Sequence, residues 1–152
     1  MSVKITLEIG QPAPVFSLMS DEKNCVNLPD LLRGQDLLLA FIHGTWCPHC
    51  VQTLYRLRRA STTFSSAGIG IAVVAIDAPD ALNIFRRTAE PSIPFVLLAD
   101  EDETAHKSYG LQHLSAYIAL NNEGIVRAVF LDKDHHNYPG HTAIIQSLRS
   151  RP

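Results

Sequence analysis

Two short apolar runs constrain this chain more than any other feature. They are Leu37-Leu38-Leu39-Ala40-Phe41-Ile42 and Ile71-Ala72-Val73-Val74-Ala75-Ile76. A run of this kind turns hydrophobic side chains to both faces of a strand, which requires a sheet covered on both sides. Six residues fit a central strand better than a buried helix. Between the runs, Leu54, Leu57 and Phe64 recur at roughly helical spacing, with Arg56, Arg58 and Arg59 among them. Pro48 stands where that helix begins, a position that does not need its missing N–H. The helix is expected over residues 51–67, closed by Gly68 and Gly70. A strand–helix–strand unit of this length pairs its strands in parallel, with a right-handed crossover.

The flanking segments extend the pattern. Gly10-Gln11-Pro12-Ala13-Pro14 punctuates the N-terminal part, and residues 15–18 alternate like a short strand. Residues 29–32 make one helical turn stopped at Gly34, and Asp80 is expected to cap a helix running to Arg87. Pro91 and Pro94 interrupt the chain before extended residues 95–98, and residues 104–109 read as a short helix stopped by Gly110. Ala116–Leu120 and residues 125–131 form a hairpin about Asn121-Asn122-Glu123-Gly124, and an amphipathic helix closes the chain over residues 142–149. The order β-α-β-α-β-β-α, behind an N-terminal extension, predicts an α/β class: a central mixed sheet flanked by helices, one domain over residues 1–152.

Composition removes several alternatives. Of 152 residues 46% are hydrophobic and 18% charged, the opposite of a disordered chain. Thirteen Lys and Arg against fifteen Asp and Glu give a net charge of −2 without a basic stripe, so no nucleic-acid partner is expected. Lys4 and Glu8 break the opening segment, which therefore lacks the apolar stretch of a secretory signal. No run approaches the roughly 18–20 residues that span a bilayer. The expectation is a cytoplasmic protein with no membrane partner.

Three cysteines are present, Cys25, Cys47 and Cys50, and two of them form a C-x-x-C in Trp46-Cys47-Pro48-His49-Cys50. This segment joins a buried strand to a helix start, where free N–H groups and the positive end of the helix dipole favour an anion. A cysteine there ionises more readily, and the thiolate is its reactive form. The second cysteine lies one turn away, within reach of a small disulfide ring, and His49 adds a positive charge beside the thiolate when it is protonated. A C-x-x-C near a βαβ pattern is a redox motif. A structural zinc site needs four ligands, and neither a second C-x-x-C nor a finger-like histidine pair is present, so no metal and no cofactor are expected.

Other residues carry two readings each. His43, at the strand end, either relays a proton to Cys50 or is a packed or solvated histidine. Trp46 shields the disulfide or is simply an apolar cover. Cys25 is a buried or idle thiol, or else a third redox partner. His135, His136 and His141 make a solvated loop or a metal-binding one. Asp77 ends a strand near the expected site, where it either serves the site or caps a helix.

A resemblance sharpens this. Gly10-x-Pro12-Ala13-Pro14-x-Phe16-Ser17-Leu18 and Val26-x-Leu28-x-x-Leu31 lead into Phe41-x-x-Gly44-x-Trp46-Cys47-Pro48-x-Cys50. Tyr109-Gly110-Leu111 and Asn121-x-x-Gly124 follow in order. Together they resemble the redoxin branch of the thioredoxin-like superfamily, the alkyl hydroperoxide reductase/thiol-specific antioxidant group. The resemblance implies a thioredoxin-like fold with an N-terminal redoxin extension. It implies a thiol–disulfide oxidoreductase in which Cys47 attacks and Cys50 resolves the mixed disulfide, working on a protein or small-molecule disulfide or thiol with a further redox partner. A peroxiredoxin-like thiol peroxidase and a redox-inactive binding module are the alternatives. Pro48-His49 also looks like the dipeptide of the bacterial disulfide oxidases.

The chain departs from the family in three places. The P-x-x-x-T/S-x-x-C pattern of peroxiredoxins, aligned on Cys50, puts His43 at the proline and Cys47 at the threonine. Phe41 stands where thioredoxin has a buried acid. Ser115 occupies the place of the usual cis-proline, within His113-Leu114-Ser115 where peroxiredoxins have an arginine. Because a cis bond before a residue other than proline costs about 2.5–4 kcal/mol, the Leu114–Ser115 peptide is expected to be trans.

Overall fold

The computed structural model describes residues 7–112, 114–131 and 140–149. Its elements in chain order are β1 (Ser17–Ser20), β2 (Cys25–Asn27), α1 (Leu28–Leu32), β3 (Asp36–Ile42), α2 (Pro48–Ser66) and β4 (Ile69–Ala75). After these come α3 (Pro79–Thr88), β5 (Val96–Ala99), α4 (Thr104–Ser108), β6 (Ala116–Leu120), β7 (Val126–Leu131) and α5 (His141–Arg149). The strands form one sheet in the order β2-β1-β5-β4-β3-β6-β7. β3, β4 and β5 run parallel, while β1 and β6 join them antiparallel at either side.

The doubly apolar runs have the predicted cause. Along β3, Leu38, Ala40 and Ile42 enter one core with Leu54, Leu57 and Phe64 of α2, Leu82 of α3 and Ile144 of α5. The alternate residues Leu37, Leu39 and Phe41 enter a second core with Leu28 of α1, Ala105 of α4, Phe16 and Tyr109. The sheet therefore separates two hydrophobic layers, and a strand at its centre has no polar face.

Several elements differ in detail from expectation. Residues 95–98, read only as extended, belong to the third parallel strand, β5, which also pairs with β1. The N-terminal strand is Ser17–Ser20 rather than 15–18, because its pairing with β2 and β5 fixes its limits while Val15 stays exposed. Gly70 lies inside β4 instead of ending the helix, since a Cβ there would sit 2.5 Å from the Gln35 amide. Asp80 does not cap α3. The cap is Ala78, Pro79 is the first helical residue, and Asp80 lies in the first turn where the dipole favours an acid.

Candidate active site

β3 delivers the chain to the site at its C-terminal end. Beyond Ile42, the His43 carbonyl accepts a hydrogen bond from the Ile76 N–H at 2.8 Å, which ties the loop to the end of β4. The loop then turns through Gly44-Thr45-Trp46, with the Cys47 N–H donating to the Gly44 carbonyl at 3.2 Å. Asp77 holds this turn: its Oδ2 accepts from the Thr45 N–H at 2.7 Å and from Thr45 Oγ1 at 3.1 Å. Asp77 thus supports the site loop and does not cap α3, whose cap is Ala78.

Cys47 is the N-cap of α2, in extended conformation, with Pro48 behind it at the first helical position. Its side chain makes no capping hydrogen bond, so the sulfur remains at the positive end of the 19-residue helix, half-buried. Cys50, one turn on, faces inward and is only 2% exposed. Burial pushes the Cys50 thiol up to about 11. Backbone hydrogen bonds from Gly44 and His43 oppose that shift, and the neighbouring Cys47 adds to it. The two sulfurs and a ring nitrogen of His43 all lie within 4.8 Å of one another.

The remaining sequence candidates fall as follows. Trp46 is 68% exposed and its indole stacks on the His43 ring, 6.3 Å between centroids and 14° between planes. It covers His43 more than it buries anything. His49 is half-buried on α2, and its carbonyl accepts from Thr53 Oγ1 at 3.3 Å. Ser115 immediately precedes β6, next to the Phe41–Ala116 register pair, so it stands at the same end of the sheet as His43. Among the described residues the one cis peptide is Glu90–Pro91, and Leu114–Ser115 is trans as expected.

Cys25 is not buried. It is exposed on edge strand β2, with its sulfur 3.1 Å from Ser17 Oγ. Four strand spacings separate β2 from β3, about 19 Å at 4.8 Å each. Cys25 is therefore no third partner in this site. Of the histidine-rich loop, His135 and His136 lie outside the described residues. His141 opens α5 and meets Phe64 edge to face at 6.4 Å.

Sequence reasoning missed a buried pair beneath the loop. His106 and Asp100 are both fully buried, with Nδ1 donating to Oδ2 at 2.6 Å. His106 Nε2 donates to the Ile42 carbonyl at 3.1 Å, one residue before His43. The same carboxylate accepts from the N–H groups of Ala105 at 3.0 Å and His106 at 2.8 Å, and from Thr104 Oγ1 at 3.2 Å. Burial alone would raise the Asp100 carboxyl, but the hydrogen bonds from His106 and the backbone outweigh it and hold it below 3.8. Asp100 and His106 are six residues apart, a spacing that marks no motif, and the Ile42 carbonyl that completes the arrangement lies 64 residues away.

A sheet whose central strand ends beside a C-x-x-C at a helix N-terminus defines a thioredoxin-like protein. The family description "AhpC/TSA family" matches residues 9–136. The chain belongs to this family, and its thioredoxin-like fold carries the N-terminal redoxin extension that the sequence implied. It is 28% identical over 131 residues to "Peroxiredoxin Bcp" of Bacillus subtilis, covering 86% of this chain and 82% of that protein. It is 29% identical over 124 residues to "Thiol:disulfide interchange protein DsbE" of Allochromatium vinosum, covering 78% and 64%. In three dimensions it is similar to the crystal structure of peroxidoxin BcpB from Mycobacterium tuberculosis, with a TM-score of 0.81, 16% identity, and coverage of 94% of this chain and 97% of that one.

Proposed function

We propose that this chain is a thiol peroxidase that uses Cys47 and Cys50 as a local dithiol. Cys47, as thiolate, attacks one oxygen of the peroxide; the O–O bond breaks, an alcohol or water leaves, and Cys47 becomes a sulfenic acid. The Cys50 sulfur then displaces water from Cys47 to close the disulfide. The sum is two thiols and one hydroperoxide giving one disulfide, one alcohol and one water. An external dithiol of thioredoxin type returns the pair to the reduced state in the cytoplasm.

The observation that carries this reading is the unequal pair: a half-buried Cys47 at a helix N-terminus, 4.8 Å or less from a Cys50 that burial keeps as a thiol. This favours Cys47 as the attacking sulfur, although the peroxiredoxin pattern aligned on Cys50 favours the reverse order. The peroxiredoxin name of a relative and the absence of a cis-proline at Ser115 favour peroxide over a docked protein disulfide.

The test is peroxide consumption by the full chain with dithiothreitol as reductant, beside insulin reduction. Peroxide should be consumed in stoichiometric turnover. A sulfenic-acid trap should label Cys47 in Cys50→Ser and nothing in Cys47→Ser. Labelling of Cys50 in Cys47→Ser alone reverses the roles, and a chain inert to peroxide overturns the proposal. The second reading, thiol–disulfide exchange through the same Cys47, is favoured by the C-P-H-C pair with Cys47 at the tip of α2. Insulin reduction without peroxide consumption would establish it.

A further inference from the structure

Among the described residues, neither a second cysteine pair nor a spaced histidine pair joins Cys47 and Cys50; a single histidine does. His43 stands four residues before Cys47 at the end of β3, and its ring comes within 4.8 Å of both sulfurs. In a tetrahedral zinc site, with Zn–S near 2.3 Å and Zn–N near 2.0–2.1 Å, adjacent ligand atoms stand roughly 3.5–3.8 Å apart. Closing the three atoms onto one ion therefore needs movements of about an ångström, within the reach of side-chain rotation.

The supports are already in place. Backbone bonds fix His43 to β4 and Cys47 to Gly44. Asp77 anchors the intervening Thr45. The Trp46 indole lies flat on the imidazole, and the two cysteines share the first turn of one helix. Two thiolates and an imidazole are a donor set for zinc-class ions, not for calcium or magnesium. Three protein ligands with a fourth position open is the arrangement of exchangeable or reactive zinc rather than of a closed structural site.

We propose that the reduced site binds one divalent ion of the zinc class through His43, Cys47 and Cys50, with water as fourth ligand. Both sulfurs then donate to the metal as thiolates, which a disulfide cannot supply, so metal and disulfide are mutually exclusive states of one site. The inference uses these side chains but does not depend on peroxide being the substrate.

The experiment titrates the reduced full-length protein with Co²⁺ and Zn²⁺ against a chromophoric chelator. The Co²⁺ form should bind one equivalent and show sulfur-to-cobalt charge transfer together with tetrahedral d–d absorption. Zn²⁺ should protect both Cys47 and Cys50 from alkylation, and the disulfide form should bind none. Loss of a group that merely orients a ligand costs about 10–100-fold in affinity, so removing a ligand by His43→Ala should cost about 100-fold or more. His49→Ala should change affinity only a few-fold. His43→Asn serves if the alanine variant does not fold. Absence of stoichiometric binding overturns the proposal. So does charge transfer of undiminished intensity in Cys47→Ser and in Cys50→Ser, or weakening by His49→Ala in place of His43→Ala. None of these readouts involves turnover, so a failed peroxidase assay leaves them informative.

Discussion

Replacing Asp100 with asparagine removes the charge beneath the site loop while nearly keeping the shape. The carboxylate accepts four hydrogen bonds, two at each oxygen: Thr104 Oγ1 and the Ala105 N–H on Oδ1, the His106 N–H and Nδ1 on Oδ2. An amide can accept only at its oxygen, so two donors are left facing an NH₂ group in a fully buried place. Each orphaned buried donor costs about 1–3 kcal/mol, and breaking a buried ion pair from one side costs about 3–5 kcal/mol. A loss of about 3–5 kcal/mol is expected from Asp100→Asn. In a domain of this size that corresponds to a fall in Tm of roughly 6–20 °C. Urea unfolding of the reduced protein and the variant, with His106→Gln and the double variant, measures it. The two single losses should be strongly less than additive, because each breaks the same pair. The pH dependence has a definite sign. Asp100 titrates below 3.8 in the folded state, so its stabilisation is complete above that value and disappears as pH falls through the lower, folded one. The variant should therefore lose less stability than the wild type on acidification below about pH 4. A loss under about 1 kcal/mol, or additive single losses, would refute the assignment of this pair as a support of the strand end.

Three shorter tests address the loop itself. With Cys50 raised from 9.0 to about 11, the unfolded chain releases that proton first, so stability should hold below pH 9 and decline toward 11, and less steeply in Cys50→Ala. Equal slopes in both proteins would contradict the burial of that thiol. Asp77→Ala removes both anchors of Thr45 and should cost about 1.5–3 kcal/mol, with slower Cys47–Cys50 disulfide formation measured by thiol counting; unchanged oxidation kinetics would mean the loop does not need Asp77. Gly44→Ala places a Cβ 2.2 Å from Trp46 Nε1, and since Trp46 is the sole tryptophan, its fluorescence should shift as the indole leaves His43. An unaltered emission spectrum would show that the stacking is not what fills that space.

What the sequence discloses follows from how local each cause is. The doubly apolar β3 and β4 are legible because strand periodicity is a property of neighbours, and Leu38 and Leu39 need only opposite faces to be read correctly. Cys47 at the tip of α2 is legible for the same reason: Pro48, the apolar spacing and the C-x-x-C lie within a few turns. Cys25 misled because a cysteine's burial depends on which strand is at the edge, and β2 becomes an edge only through the pairing of β1 with β5. The bonds from His106 to the Ile42 carbonyl and from Thr45 to Asp77 were hidden. They span 64 and 32 residues and form only when the strands pair, so no spacing rule marks them. His43 falls between these cases, since its position beside the motif is visible while the turn of its ring toward both sulfurs is not.

The buried groups bear on how one motif can serve different oxidants. A protein disulfide must present a backbone as well as a sulfur, so its capture depends on the segment before β6, where this chain has Ser115 in a trans peptide. A hydroperoxide asks less: a path to one sulfur and a second thiol within reach. On the proposed peroxidase reading, that smaller demand falls on residues that hold the loop without touching the substrate. Asp77 fixes Thr45, His106 fixes the Ile42 carbonyl, and the Ile76 N–H fixes His43, so the loop between Ile42 and Cys47 is tied to the β4–α3 junction and to α4. With the backbone so held, the choice of partner passes to the exposed Trp46 indole and the half-buried Cys47 sulfur. Exchanging Ser115 for proline should then raise insulin reduction while leaving peroxide consumption within a few-fold, because only the larger substrate uses that edge. Equal changes in both activities would place the limit in the dithiol and not in docking.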